Sequence, residues 1–270
     1  MPEDLLAGTS AFWREEGTGS RPMVLLHCTM AHSGAWRGVM AKLGDAFRMI
    51  AVDLPAHGKS GPRDMNTTWQ TQSKHMAVDL IERLGQPVDL VGHSFGATVA
   101  LRLALRRPDL VRTLTLIEPV QLSAARDDRW PEWEAHKDEH QTFIDLVNAG
   151  RRAEAAAEFH RTWGDGSPWE AFPEAQRAAM AAQIHMIRAG DESIDGEGAD
   201  YVPLGEYAAI RVPVLLIEGV RTNRIIPAIQ DALYRTLPDA RKVVVDGAGH
   251  MVPISHADRV ADEIRSFLGA

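Results

Sequence analysis

One serine lies where its hydroxyl could act as a nucleophile. Ser94 stands between Gly92 and Gly96 in the segment Gly-His-Ser-Phe-Gly. An apolar strand is predicted before it at residues 88–91, and a helix after it at residues 97–106. Glycines at both ends remove the β-carbons that would clash where a strand turns sharply into a helix. The pattern therefore predicts an exposed, strained serine that could attack a carbonyl group.

A serine hydroxyl is a poor nucleophile at neutral pH and needs a base within hydrogen-bonding distance, usually a histidine that an acid orients. The chain has 11 histidines. His250 is the strongest candidate because it follows Asp-Gly-Ala-Gly in a loop between the last predicted strand and the last predicted helix. His256 belongs to the start of that helix. We therefore expect His250 to accept the proton of Ser94.

Four segments together resemble the alpha/beta hydrolase superfamily over the whole chain, apart from one helical insertion. They are the turn around Ser94, Leu-Leu-His at 25–27 before a polar loop ending at Trp36, Asp-Leu-Pro-Ala-His-Gly at 53–58, and the loop ending at His250. The resemblance implies an α/β fold with a mostly parallel, twisted sheet of about eight strands, helices on both faces and a small helical cap. It also implies the chain order serine, acid, histidine, and architectural roles for Asp53 and His57.

The resemblance implies an oxyanion hole as well, formed by two backbone N–H groups that point at the developing negative charge. One is the amide of Phe95, the residue after the serine. The other is the amide of Thr29, two residues after His27. The usual His-Gly pair is His27-Cys28 here, so the backbone has to accommodate a side chain. We expect Cys28 to pack as a small apolar residue rather than to act as a nucleophile.

The acid expected to orient His250 departs from the family pattern. The family's acid follows a strand that is predicted here at residues 214–218, and aligning Gly219 with the family's glycine places Asn223 at the acid position. An asparagine oxygen can accept a hydrogen bond from imidazole, but it carries no charge to stabilise imidazolium. Replacing the triad aspartate of a serine protease with asparagine lowers kcat about 10⁴-fold. Either the enzyme is therefore impaired or a different carboxylate takes this role.

Glu118 is the best substitute. It ends a strand predicted at residues 114–118 and should project at the carboxyl edge of the sheet, one strand along from Ser94. A subset of the haloalkane dehalogenases is similar in carrying its acid after the same strand, although many family members have an unused acid there. Glu218 or another acid, and Asn223 as a neutral orienting group, are the alternatives.

Apolar, β-branched segments alternate with helical patterns along most of the chain, which is typical of a mostly parallel sheet covered on both faces. Strands are predicted at residues 10–14, 23–27, 48–52, 88–91, 114–118, 214–218 and 242–245. Helices are predicted, from apolar residues at three- and four-residue spacing, at residues 35–43, 68–84, 97–106, 228–237 and 257–268.

The strand pattern disappears between residues 120 and 207. We interpret residues 121–207 as a helical cap inserted into a core formed by residues 1–120 and 208–270, with 191–200 as a solvated loop leading back to the core. Four of the seven tryptophans lie in the cap, which suits either an aromatic underside over a substrate pocket or simple packing of the helices. The residues expected to line the pocket are Met30, His32, Phe95, Val120, Trp130, Trp133, Met186 and Met251.

Composition excludes several classes of protein. A chain of 270 residues suits one core with one insertion. The net charge of −8 argues against a nucleic-acid partner. No apolar run marks a signal sequence or membrane span, and the single cysteine can form no intramolecular disulfide. We therefore expect a cytoplasmic location. We also expect a monomer or homodimer that acts on a small molecule. No cofactor or metal is expected, because the loose spacing of His136, His140 and His160 is typical of solvated helix faces.

These residues predict a serine hydrolase that cleaves a small carboxylic ester or related acyl compound through an acyl-enzyme. Serine instead of aspartate at the turn argues against dehalogenase and epoxide hydrolase chemistry. The same groups could cleave a carbon–carbon bond in a β-diketone-like compound, a lactone or an amide. Alternatives from other classes are a ligand-binding protein made slow by Asn223, and a lyase in which Ser94 and His250 act as an acid–base pair.

Overall fold

Eight strands form one sheet in the computed structural model, which describes residues 3–164, 167–195, 198 and 200–270. In chain order they are β1 (Glu3–Leu6), β2 (Thr9–Glu16), β3 (Arg21–Leu26), β4 (Phe47–Val52), β5 (Val88–His93), β6 (Val111–Ile117), β7 (Val214–Gly219) and β8 (Ala240–Val245). Across the sheet the order is β1-β2-β4-β3-β5-β6-β7-β8. The pairs β1–β2 and β2–β4 are antiparallel, and the other neighbours are parallel. The predicted sheet is therefore confirmed.

All seven predicted strands are present, and β1 is the one that the sequence did not reveal. It has four residues, of which only Leu6 is buried. An alternation this short gives no recognisable period of two. The central strands are buried on both faces instead, as β3 shows, because Val24 and Leu26 belong to one apolar cluster and Met23 and Leu25 to another.

Helices cover both faces of the sheet. The apolar cluster on one face includes buried side chains from α2, α3 and α9, and the cluster on the other face includes side chains from α1 and α11. The five predicted helices correspond to these five. The helices are α1 (Arg37–Leu43), α2 (Trp69–Leu84), α3 (Phe95–Arg106), α4 (Leu122–Asp127), α5 (Trp133–Asn148), α6 (Arg152–Trp163), α7 (Glu174–Gln183), α8 (His185–Ile194), α9 (Ile225–Thr236), α10 (Val252–Ser255) and α11 (Ala257–Leu268).

The chain between β6 and β7 is helical in its described part. Helices α4 to α8, called the helical region below, follow one another there. These helices have a small apolar cluster of their own, which contains Phe143, Ala155, Ala156 and Ile184. Helix α4 instead packs on α9 and on the apolar cluster that includes α2, α3 and α9. The division into a core and a cap at residues 121–207 stays a prediction. Among the described residues, no helix is both long and apolar enough to span a membrane.

The solvated loop predicted at 191–200 is wrong for its first residues. Helix α8 continues to Ile194, and Asp191 is only 3 % exposed. The prediction followed the acidic composition of this stretch. It overlooked that Ile187 and Ile194 lie two turns apart on the same helix face. Residues 196, 197 and 199 of that prediction lie outside the described residues.

The strand order brings distant parts of the sequence to one edge of the sheet. β5 lies between β3 and β6, and β7 and β8 follow in order, all of them parallel. The carboxyl ends of parallel strands lie at the same edge, where open α/β sheets place their ligand sites. The residues that follow these strands therefore meet at this edge.

Candidate active site

Ser94 occupies a tight turn between β5 and α3. Its φ of +54° and ψ of −117° are rarely adopted by residues other than glycine. A β-carbon on Gly92 would lie 2.4 Å from the carbonyl oxygen of Gly96, and one on Gly96 would lie 2.3 Å from that of Leu26. Only glycine therefore fits at either position, and the two glycines allow the turn to close against β3.

His250 connects Ser94 to Glu118. Its Nε2 lies 3.0 Å from Ser94 Oγ, and its Nδ1 lies 3.0 Å from Glu118 Oε2. All three residues are buried, with exposures of 7 % for Ser94, 5 % for His250 and 0 % for Glu118. The structure thus brings together the three residues that the sequence selected. A proton on Nδ1 and a lone pair on Nε2 give His250 the tautomer that can accept the Ser94 proton.

The Glu118 carboxylate has a partner on each oxygen. It follows β6 with a φ of +50°, and its amide donates to the Ile217 carbonyl at 2.9 Å. Oε1 accepts from the Gly219 amide at 2.6 Å, while Oε2 accepts from the Thr222 hydroxyl as well as from His250. These donors offset part of the cost of burying a carboxylate away from water. Sequence reasoning missed Thr222, because nothing in its local pattern shows that it faces Glu118.

The two alternative orienting residues have other partners. Asn223 Oδ1 accepts from the Ile225 amide at 3.1 Å at the start of α9, and its Nδ2 donates to the Thr162 carbonyl at 3.3 Å. Glu218 lies 3.1 Å from the Lys242 ammonium, and burial raises the pKa of its carboxyl. Within the described residues neither side chain hydrogen-bonds to His250.

A second histidine fixes the loop that carries His250. His93 Nε2 donates to the His250 carbonyl oxygen at 2.8 Å. Burial, together with the neighbouring His250, lowers the pKa of His93 to about 3, so this ring is neutral. On the other side, the Trp163 ring meets His250 edge-on with centroids 5.2 Å apart. His250 is therefore held between β5 and the helical region.

The two expected oxyanion donors follow the neighbouring strands β3 and β5. Phe95 begins α3, and the first amides of a helix have no acceptor within the helix. Thr29 follows β3, and its amide has no acceptor among the described residues. Both residues line the cavity that contains Ser94. Burial raises the pKa of the neighbouring Cys28 thiol to about 12, which leaves it protonated and a poor nucleophile.

Two buried histidines hold the Thr29 loop. His57 Nε2 accepts from the Met30 amide at 3.0 Å, and Met30 has a φ of +63°. His27 Nε2 accepts from the Leu54 amide at 2.9 Å, and its Nδ1 donates to the Cys28 carbonyl at 2.7 Å. Burial holds the pKa of His27 well below its usual value and lowers that of His57, which keeps both rings neutral. A ring that accepts at Nε2 must carry its proton on Nδ1.

A cavity of about 640 Å³ opens above Ser94, a size within the range of small-molecule sites. Of the predicted lining residues, Met30, His32, Phe95, Val120 and Met251 border it. Trp163, one of the four cap tryptophans but not among the residues expected to line the pocket, also borders it.

The expectation that Trp130, Trp133 and Met186 line this cavity is wrong. The two tryptophans are partly buried against the apolar cluster that includes α2, α3 and α9, and Met186 belongs to that cluster. Their positions depend on how the helices rotate onto the sheet, which sequence spacing does not determine. In the described part of the chain, no group of three His, Cys, Asp or Glu side chains is arranged to hold a metal ion.

A family model described as the alpha/beta hydrolase family matches residues 23–263. The chain belongs to the alpha/beta hydrolase family. It is a hydrolase, and the resemblance found in its motifs is confirmed.

Two relatives of this hydrolase are curated as pimeloyl-[acyl-carrier protein] methyl ester esterases. The one from Methylococcus capsulatus is 29 % identical over 270 aligned residues, covering 94 % of this chain and 98 % of the relative. The one from Nitrosomonas europaea is 31 % identical over 252 residues, covering 87 % and 91 %. Among solved structures, a hydrolase from Pseudomonas aeruginosa superimposes with a TM-score of 0.77 at 22 % identity, covering 98 % of this chain and 96 % of the other.

Proposed function

We propose that this hydrolase is a serine esterase in which Ser94, His250 and Glu118 form the catalytic triad. One observation carries the proposal, namely the continuous contact from Ser94 Oγ through both His250 ring nitrogens to the Glu118 carboxylate, at 3.0 Å on each side. Nucleophile, base and orienting acid need this order and these distances. Esterase chemistry also agrees with the curated names of the two relatives.

The proposed reaction proceeds in two halves. Ser94 Oγ attacks the ester carbonyl while His250 Nε2 takes its proton, and the Thr29 and Phe95 amides stabilise the tetrahedral oxyanion. His250 then gives this proton to the departing alcohol oxygen as the carbon–oxygen bond breaks, which leaves an acyl-enzyme on Ser94. Water adds to the acyl-enzyme with His250 again as base, and release of the acid restores Ser94. Glu118 stabilises the imidazolium in both halves.

The proposed substrate is a small alkyl ester whose apolar part fills the cavity. Most of the cavity wall away from the triad is apolar, including Val120, Phe159 and Trp163. The two curated relatives are named for a methyl ester, which favours a small alcohol as leaving group. The helical region supplies Phe159 and Trp163 to this wall, so we assign residues 121–207 to a cap that shapes the substrate site.

Labelling with a fluorophosphonate and burst kinetics with p-nitrophenyl acetate test the proposal. The wild-type chain should take up one label and release a burst of about one equivalent of nitrophenol, because the acyl-enzyme accumulates. Ser94→Ala should abolish both signals. Ser255→Ala is the matched control, because Ser255 also lines the cavity but bonds the Met251 carbonyl. Labelling or a burst that survives Ser94→Ala contradicts the proposal.

A further inference from the structure

Helix α8 carries one carboxylate on a cavity-lining face that is otherwise free of polar side chains. Ile187, Gly190, Asp191 and Ile194 all border the cavity, at the three- and four-residue spacing of one helix face. The Asp191 side chain is only 5 % exposed. A buried carboxylate needs partners, because burying its charge without them is costly.

The partners of Asp191 are few. His140 Nε2 lies 3.3 Å from Asp191 Oδ2, and Arg188 Nη1 lies 3.7 Å from the same oxygen. None of the described residues donates a hydrogen bond to Oδ1. Arg188 is also 43 % exposed at its side chain, so solvent weakens its contribution. The carboxylate therefore retains an acceptor oxygen in a cavity where most neighbours are apolar.

The residue before Asp191 packs against the Phe95 side chain. A β-carbon on the adjacent Gly190 would lie 3.4 Å from the Phe95 ring and 3.7 Å from the Trp69 ring. The Phe95 and Trp69 rings themselves stack with centroids 3.8 Å apart. Helix α8 therefore packs beside the side chain of the residue whose amide is a proposed oxyanion donor, and Asp191 borders the same cavity as Ser94.

We propose that Asp191, oriented by His140, is a polar subsite that accepts a hydrogen bond from an ammonium or hydroxyl group of the substrate. This inference rests on the proposed function only in that it calls the ligand a substrate. The subsite itself depends only on the cavity. An ester with such a donor on its acyl chain or on its alcohol fits this chemistry. An ester with a free carboxylate at the same position does not fit, because like charges repel.

Binding of alcohols, which cannot be hydrolysed, tests the subsite independently of esterase activity. Calorimetry should compare alkan-1-ols of four to eight carbons with their ω-amino and ω-hydroxy counterparts, so that one length spans the cavity to Asp191. A hydrogen bond to a charged group predicts a dissociation constant about 10- to 100-fold lower for the best ω-amino compound than for its plain counterpart. Asp191→Asn should reduce this preference to less than about threefold.

Asp145→Asn is the matched control, because it removes the same charge from an exposed position on α5. The control should keep the preference of the wild-type chain. No preference for an ω-amino or ω-hydroxy compound at any length, or a preference that Asp191→Asn retains, overturns the subsite. The wild-type comparison decides the question even if Asp191→Asn fails to fold.

Ester hydrolysis then locates the donor. Two series of esters should be compared by kcat/KM, one with the amino or hydroxy group on the acyl chain of a methyl ester and one with it on the alcohol. A preference in one series only assigns the subsite to that half of the ester. If the wild-type chain hydrolyses none of the esters, the proposed function fails, while the alcohol measurements still decide the subsite.

Discussion

Glu118 Oε2 lies 3.0 Å from His250 Nδ1, although the two residues are 132 positions apart in the chain. Glu118 follows β6, whereas the family's usual acid position follows β7 and is occupied by Asn223. The end of β7 and the loop after it still contact the acid, because the Gly219 amide and the Thr222 hydroxyl both donate to Glu118. The acid that follows β6 is thus held by residues at and after the end of β7.

Glu118→Gln should lower kcat at least 100-fold, while Asn223→Ala should lower it less than about 10-fold. Glutamine keeps the shape but removes the charge that stabilises imidazolium, as in triads where loss of the acid costs about 10⁴-fold. Among the described residues, the Asn223 side chain bonds only to the start of α9 and to Thr162, so its loss should reduce stability by about 1 kcal/mol. Steady-state kinetics and urea unfolding measure the two effects. Small and equal changes in kcat would contradict the role of Glu118.

Thr222→Val should lower kcat about 10-fold with little change in KM, because it removes one donor from the carboxylate that orients His250. Thr222→Ser keeps the hydroxyl and should restore kcat. Thr236→Val, at the other end of α9, is the control for loss of a threonine hydroxyl. Wild-type kinetics in Thr222→Val would show that Thr222 does not position the acid.

The sequence predicted the parts of the fold and site that depend on local patterns. The seven predicted strands have apolar runs, and the turn at Ser94 requires glycines that can be read directly from its motif. His250 and Glu118 could be selected because each follows a strand of a parallel sheet, where chain direction alone determines the edge.

The remaining parts depend on tertiary packing. Trp163 rather than Trp130 or Trp133 lines the cavity, because the rotation of each helix in the helical region is set by its neighbours. Asp191 belongs to a stretch whose acidic composition predicts a loop, yet α8 continues to Ile194, with Ile194 buried and Ile187 half-buried beside the cavity. Thr222 reaches Glu118 only through the pairing of β6 with β7.

Cys28 should react very slowly with a thiol reagent in the folded chain. A pKa of about 12 leaves roughly one thiol in 10⁴ ionised at pH 8, and the side chain is only 4 % exposed. Ellman's reagent should therefore detect the thiol rapidly only after unfolding in guanidinium. Fluorophosphonate labelling should persist in Cys28→Ala. Rapid modification of the folded chain would contradict the burial of Cys28, and loss of labelling in a folded Cys28→Ala variant would indicate that Cys28 rather than Ser94 is the labelled group.

The stability of the fold should fall as the pH decreases from 7.5 to 5, and His93 should account for part of the loss. Burial lowers the pKa of His93 to about 3 in the folded chain, against an ordinary value near 6.5 in the unfolded chain. Between these values the unfolded state binds more protons, so the free energy of unfolding rises with pH. The contribution of His93 is complete above about pH 6.5 and is lost as the pH falls toward its folded value.

His93→Gln separates this contribution from those of the other buried histidines. Glutamine can still donate to the His250 carbonyl, but it does not titrate. Between pH 7.5 and 5 the wild-type chain should lose about 2 kcal/mol more stability than the variant, since His93 stays neutral in the folded state over this range. Urea unfolding at both pH values measures this difference. A destabilisation of the variant that is the same at both pH values does not affect the comparison. Equal pH slopes would mean that His93 is not buried in its neutral form, which would remove the fixed donor from the loop that carries His250.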